Sequence, residues 1–303
     1  MKKNSPAYLE LLKNGELEGR AEAAWKAMSS CKMCPHRCGA DRLGGESSFC
    51  RITDHAILAS YGPHFGEEAP LTGRKGSGTV FFSSCNMRCL YCQNYEISHL
   101  MSGKPVTPEI LAFCFLALQE DGCHNINLVT PSHVVPFILK ALVLAAGEGL
   151  SIPLVYNTAG YDSTDTLSIL DGIIDIYLPD FKYWDKAVAK RLSKVSDYPE
   201  TARTALREMH RQVGDLAVDD SGIAARGLLV RHLVLPGGLS GTEDIMKFIA
   251  DEISPETYVN VMEQYRPCGK AMYNPPLDRR ITDQEFYRAL EAARKAGLTR
   301  LDA

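Results

Sequence analysis

From Thr79 onward, short apolar runs alternate with longer stretches in which apolar residues return every three or four positions, the mark of successive βαβ units. The runs at 79–83, 126–130, 154–157, 174–178, 229–235 and 258–262 are rich in Val, Ile and Leu, and several are nearly continuous, as strands of a parallel sheet covered on both faces must be. Helix signals stand between them. Thr107 followed by Pro108 and Glu109 predicts an N-cap with proline at the first helical position, and Thr282 with Glu285 predicts a capping box opening the last helix. Six strands with intervening helices predict an α/β fold, a partial (β/α)6 TIM-like barrel rather than a closed eight-stranded one. Residues 184–227 carry no clear strand and read as a helical, charged surface crossover, with a lid or insertion as the alternative.

Ahead of the barrel, residues 8–28 place apolar side chains at mixed helical spacing, and residues 31–50 form a cysteine-containing segment rich in Gly, Arg and Ser. Together they predict an N-terminal helical arm and Cys-rich metal-binding segment over residues 1–75, leaving residues 76–303 for the barrel.

Composition narrows the partners. A formal net charge of -4 and a pI near 6.1, with both signs mixed along the chain, argue against nucleic acid and anionic membrane as targets. Met1-Lys2-Lys3-Asn4 leads into no apolar export segment, and no apolar run approaches the roughly 18 residues that span a bilayer, so the expected location is the cytoplasm. In a chain of this kind ten cysteines imply metal ligation or catalysis rather than disulfides. Seven of them fall before residue 93, in two groups, while Cys114 and Cys123 read as core residues.

The second group, Cys85, Cys89 and Cys92, is spaced C-x3-C-x2-C directly after a predicted strand. One loop with this spacing can wrap three irons of a cubane, and three thiolates leave the fourth iron open to an outside ligand. A structural zinc loop is the plainer alternative and requires a distant fourth ligand.

The segment from Phe81 to Asn94, including the aromatic Tyr91 before the third cysteine, resembles the signature of the radical S-adenosylmethionine (SAM) superfamily. The resemblance extends to the pyruvate formate-lyase activating enzyme homologues through Gly66-Glu67-Glu68, Pro70-Leu71 and Gly73, through Gln93-Asn94-Tyr95-Glu96-Ile97-Ser98, and through segments 125–133, 156–161, 175–183 and 231–237. It implies a 4Fe-4S cluster on Cys85, Cys89 and Cys92 whose open iron is chelated by SAM. An electron then cleaves a carbon–sulfur bond of SAM, and the 5′-deoxyadenosyl radical abstracts hydrogen from a substrate. It also implies a reductant such as flavodoxin or ferredoxin.

Residue roles follow from the same resemblance. Thr130 stands where the superfamily usually carries a Gly-Gly-Glu-Pro turn for the SAM amino group, so Thr130 or main-chain carbonyls would take that contact. Asp180 and Lys182 match an Asp-x-Lys pattern near SAM and substrate, the alternative being an ordinary surface pair. Arg231 matches an arginine facing the SAM carboxylate, and a buried arginine demands an anionic partner. Asn157 and Thr158 end the third predicted strand, where barrel enzymes gather ligand contacts, or else cap a helix. His232 would face the helices. Tyr265, Arg266 and Cys268 follow the last predicted strand, placed to touch the substrate, with an ordinary partly buried thiol as the alternative for Cys268, and His64, Glu67 and Glu68 form either a cover on the site or a solvated loop.

Upstream, Cys31, Cys34, Cys38 and Cys50 supply four soft ligands suited to zinc or an auxiliary iron–sulfur cluster, with free or oxidised thiols as the remaining reading. The function expected is radical SAM chemistry on a glycyl radical enzyme partner, with a peptide or small metabolite as the alternative substrate. A non-catalytic iron–sulfur carrier or sensor is the reading from another class.

Overall fold

Two helices, α1 (Tyr8–Lys13) and α2 (Glu16–Lys26), open the computed structural model, which describes residues 5–302. They lie against α6 (Val135–Gly147), where Trp25 meets Phe137 edge-on at 5.3 Å. The rest of the chain follows as β1 (Ala56–His64), α3 (Ala69–Thr72), β2 (Ser77–Phe82), α4 (Tyr95–Ser98), β3 (Lys104–Val106), α5 (Pro108–Glu120), β4 (Ile126–Val129), then α6 and β5 (Leu154–Thr158). After these come α7 (Thr164–Leu170), β6 (Ile176–Pro179), α8 (Lys186–Ser193), α9 (Tyr198–Val213), β7 (Ala217–Val218), β8 (Ala224–Leu233), α10 (Thr242–Phe248), β9 (Tyr258–Met262), α11 (Asp283–Lys295) and β10 (Arg300–Asp302). Among the described residues no helix is long and apolar enough to cross a membrane.

The parallel strands β2, β4, β5, β6, β8, β9 and β10 stand in the sheet in the order in which the chain makes them. A sheet that grows in one direction has no reversal point, so its crossovers wind one way and the sheet curls about its other face. β3 and β10 remain the two edges, and the result is an open partial barrel. All six expected strands are present, joined by the three-residue β10 as a further parallel member. β1 and β3 add an antiparallel edge beside β2, and β7 pairs antiparallel with β8. Segment 184–227 is a surface crossover: α9 packs against α7, β6 and β8, and its Tyr198, Ala202, Ala205, Leu206 and Met209 are buried.

Side chains alternate across the strands. Val80, Phe82, Leu128, Tyr156, Tyr177, Val230 and Val261 join the large core shared with the helices. Val155, Ile176, Leu178 and Leu229 point the other way and form a small interior core with Leu71 of α3. The turn before β2 thus plugs the barrel, and burying a leucine of this kind stabilises by roughly 1.5–3 kcal/mol. Asn125 Nδ2 donates to the Leu71 carbonyl at 2.9 Å, and Ser77 Oγ donates to Asn125 Oδ1 at 2.7 Å, so the plug's polar backbone is satisfied.

Candidate active site at the carboxyl ends of the strands

Above the plug lies a cavity of about 240 Å³, lined by the carboxyl-terminal ends of β2, β4, β5, β6, β8 and β9 and by the loop that follows β2. That is the end of a parallel barrel where strand directions converge on a ligand. Cys85, Cys89, Tyr91 and Cys92 line it from the loop, and Thr130, Asn157, Thr158, Asp180, Lys182 and Arg231 from the strand ends.

The cysteine loop has little regular structure and is held by neighbours. Arg88 and Leu90 donate their N–H groups to the carbonyls of Ser193 and Leu192 at 3.1 and 2.8 Å, and Lys270 donates its own to Leu90 at 2.8 Å. Each of the three sulfurs receives one donor: the Met87 N–H reaches Cys85 Sγ at 3.3 Å, Ser193 Oγ reaches Cys89 Sγ at 3.0 Å, and Ser98 Oγ reaches Cys92 Sγ at 3.1 Å. Donors of this kind orient and stabilise thiolates that ligate metal. Burial pushes the Cys85 thiol up to about 12 and raises Cys89 as well, so without a metal these groups are protonated at neutral pH. Among the described residues no three ligating side chains converge at the spacing of a single metal ion. Three sulfurs on one loop, each with its own donor, suit three irons of a cluster, whereas a structural zinc ion would require a fourth ligand.

The strand ends bring unequal groups to the cavity. Thr130 has φ 62, a left-handed conformation that a β-branched residue rarely adopts, and its N–H is pinned to the Asn157 carbonyl at 2.9 Å. Asn157 is 8% exposed and its amide has no protein partner, which leaves it facing the cavity. Thr158 is tied down instead: its Oγ1 donates to Asp162 Oδ2 at 2.5 Å and lies 3.1 Å from Ser132 Oγ. Neither residue caps a helix, since α7 begins later with Ser163 as its N-cap.

Lys182 Nζ donates to Asp180 Oδ2 at 2.5 Å, with side chains 16% and 25% exposed. Burial pulls the Lys182 ammonium down, but Asp180 beside it carries it above its ordinary value, so it stays charged. Tyr198 fixes the backbone around this pair, donating its hydroxyl to the Ala159 and Asp180 carbonyls at 3.0 and 2.9 Å while accepting the Lys182 N–H at 2.8 Å.

Arg231 has a partner within the chain. Its Nε and Nη2 meet Glu68 at 2.6 and 2.8 Å, its Nη2 also meets Glu67, and Asn260 Nδ2 donates to Glu68 at 2.8 Å. The anion that a buried arginine requires is thus supplied by the segment that plugs the barrel, so the burial of Arg231 does not by itself call for a ligand carboxylate. Glu67 and Glu68 are not a solvated loop: both carboxylates are buried on Arg231, and Glu67 lines the cavity. His232 faces outward as expected, donating to the Phe181 carbonyl at 2.8 Å and lying 2.9 Å from Thr242 Oγ1. Tyr265 is buried with its hydroxyl on the Leu277 carbonyl at 2.7 Å, and Met262 and Gln264, rather than Tyr265, Arg266 or Cys268, line the cavity. Cys114 and Cys123 are core residues.

Several residues escaped the sequence reading. Ser193 lies 104 positions from the sulfur it contacts, and its hydroxyl is 2.6 Å from that of Tyr183. Asp162 orders Thr158 and accepts from Tyr156 OH at 3.0 Å. Of these, only the short Thr158–Asp162 spacing leaves a trace in the sequence. The upstream group Cys31, Cys34, Cys38 and Cys50 does not line the cavity, and Ser84 Oγ, next to Cys85, donates to the Cys50 carbonyl.

No protein-family model matches the chain. The curated "Uncharacterized protein MJ0674" of Methanocaldococcus jannaschii is 33% identical over 298 residues, 96% of this chain and 82% of that one. Among solved structures, a radical SAM methyltransferase from Sphaerobacter thermophilus aligns over 97% of this chain and 90% of its own, with a TM-score of 0.48 and 12% identity. SuiB of Streptococcus suis aligns over 73% of this chain with a TM-score of 0.47 and 10% identity, and the chain spans 46% of its length.

Proposed function

The chain belongs to the family of that archaeal protein, and for it we propose the function of a radical SAM enzyme related to the pyruvate formate-lyase activating enzymes. The observation that carries the proposal is the C-x3-C-x2-C loop, whose three sulfurs each take one hydrogen bond and share a cavity with an unpartnered asparagine and a buried Asp–Lys pair. A purely electron-carrying or sensing protein would have no use for Asn157, Asp180 and Lys182 turned toward those sulfurs.

When bound, a 4Fe-4S cluster on Cys85, Cys89 and Cys92, with SAM on its open iron, would supply a 5′-deoxyadenosyl radical. The chain's own part is placement. Asn157 offers an amide donor and acceptor to a ligand's polar groups, and Thr130 offers its hydroxyl from a turn whose backbone is already fixed. Lys182, charged and held by Asp180, supplies a fixed positive charge to a carboxylate or other anionic group. Phe81, Phe82, Val129 and Leu233 form the apolar part of the wall and keep water from a reactive intermediate.

The compact, charged cavity favours a substrate that presents one small group, whether a residue of a protein loop, a peptide or a small metabolite. A reduced flavodoxin or ferredoxin in the cytoplasm is the reductant in this reading. The test is anaerobic reconstitution with iron and sulfide, dithionite reduction, and chromatographic detection of 5′-deoxyadenosine from added SAM, beside a Cys89→Ala control. Cleavage that vanishes in the control is the expected result. A loaded, reduced protein that neither binds nor cleaves SAM overturns the proposal.

A further inference from the structure

We propose that Cys31, Cys34, Cys38 and Cys50 hold a second iron–sulfur cluster, packed against the loop that carries the first three cysteines. None of the four is in a disulfide, and Cys31, Cys34 and Cys50 are buried while Cys38 reaches the surface. The loop that bears them closes on itself: the Cys31 N–H donates to the Ala40 carbonyl at 3.0 Å, the Gly39 N–H returns to the Cys31 carbonyl at 2.9 Å, and Arg37 and Gly39 take left-handed φ of 42 and 69. Folded so, the loop brings Cys38 Sγ to 3.8 Å from the Cys31 carbonyl, and the Arg37 N–H turns back to the Cys34 carbonyl at 2.9 Å.

An independent observation points to negative charge there. Arg42 is 1% exposed, the largest fully buried side chain among the described residues. Its Nε and Nη1 donate to the carbonyls of Thr53 and His133 at 3.2 and 3.1 Å, and no carboxylate pairs with it. Nη2 is buried without any partner, and Nη1 stands 3.7 Å from Cys31 Sγ. Two carbonyls and the Phe137 ring, 5.5 Å from the guanidinium, offset only part of the cost of burying this charge, and four neutral thiols add no counter-ion. Four metal-bound thiolates do, since a centre ligated by four cysteines carries net negative charge.

Four cysteine thiolates suit a tetrahedral zinc ion as well as a cubane, and the cluster is chosen because the site packs on the loop that carries cluster ligands in the proposed function. A cubane spreads the same four thiolates over separate irons.

The site is tied to the first cysteine loop at three points. Ser84 Oγ donates to the Cys50 carbonyl, His36 Nε2 lies 2.8 Å from the Asn86 carbonyl, and Arg88 donates to the Phe49 carbonyl while lying over the Phe49 ring at 4.8 Å. Residues on both sides of Cys85 thus rest on the loop that would carry the second cluster.

The experiment uses the full chain with Cys85→Ala, Cys89→Ala and Cys92→Ala combined, so that the outcome does not depend on SAM chemistry. After anaerobic reconstitution with ferrous iron and sulfide, about four irons and four sulfides per chain are expected, the content of one [4Fe-4S] centre. Adding Cys34→Ser and Cys50→Ser should remove at least nine-tenths of this iron. The complementary measurement keeps the first loop intact: Cys34→Ser with Cys38→Ser should lower total iron from about eight to about four per chain, with circular dichroism confirming that the variant is folded. Absence of iron in the triple variant together with about four irons in the unmutated chain overturns the proposal, as does recovery of the triple variant with about one zinc per chain that iron and sulfide do not displace.

Discussion

Glu68→Gln is the substitution that most directly tests the ion pair holding Arg231. Glu68 is 5% exposed and accepts three hydrogen bonds, two from Arg231 and one from Asn260. Glutamine preserves the volume but removes the charge and turns an NH2 group toward the guanidinium. Losing one partner of a buried ion pair costs about 3–5 kcal/mol when the other is left uncompensated. Arg231 retains Glu67, so the low end, about 3 kcal/mol, is expected. With about 2.1 cal/mol/K of unfolding entropy per residue over 303 residues, that loss lowers the melting temperature by about 5 °C. The assay is calorimetry of the metal-free, reduced chain, beside Arg231→Met and the double variant. The double variant should regain part of the loss, because it no longer buries an unpaired charge. A Glu68→Gln protein melting within about 1 °C of the parent would refute the reasoning and return Arg231 to the role of a residue awaiting an external anion.

Other consequences are open to direct measurement. Burial lowers His133 and His232 to about 4. The unfolded chain, with histidine near 6.5, therefore binds more protons between these values, and stability present above about 6.5 is lost as pH falls toward 4. Replacing His232 with Gln should reduce the stability lost between pH 7.5 and 5 by about 2 kcal/mol, read from urea unfolding at both pH values; an unchanged difference would contradict the assignment. Ser193→Ala removes the donor to Cys89 Sγ and should shift the midpoint potential of the reconstituted cluster to a more negative value in a spectroelectrochemical titration, whereas an unshifted potential means the hydroxyl does not act on the sulfur. Gly160 has φ 75, and a Cβ there would lie 2.4 Å from the Asp180 carbonyl oxygen. Gly160→Ala should cost about 2–3 kcal/mol and weaken SAM binding by displacing Asp180 and Lys182; a parent-like melting curve would show that the turn can give way.

What could be read from the sequence was what local pattern encodes. The long apolar runs gave the parallel strands because both of their faces are covered, and the Thr107 and Thr282 caps form as expected, the latter with both reciprocal bonds of a capping box. β1 escaped because only its first residue is buried and its Gly62-Pro63 step reads as a break, and β10 because three residues are too few to carry a pattern. The residues singled out by the cysteine spacing and the strand ends, among them Cys85, Cys89, Cys92, Asn157, Asp180 and Lys182, line one cavity. The partners of those residues were not legible, since Glu68 meets Arg231 across 163 positions and Ser193 meets Cys89 across 104. Arg231 shows the limit well: its need for an anion was sound chemistry, but which anion satisfies it is a property of topology.

The plug has a bearing on how the chain reaches its native state. The segment 65–73 is synthesised early, yet its ion pair lies on β8 and its third hydrogen bond is to Asn260 of β9, 192 positions later. Until those late strands arrive, Leu71 has no β8 wall to rest on and two carboxylates face an unfinished cylinder. Contacts of such sequence separation slow folding, because the closure entropy of the intervening chain is spent before they form. During translation the front of the molecule is therefore an unsealed assembly, exposed to proteases and to self-association, and the barrel becomes whole only when its last third sets the earliest turn in place.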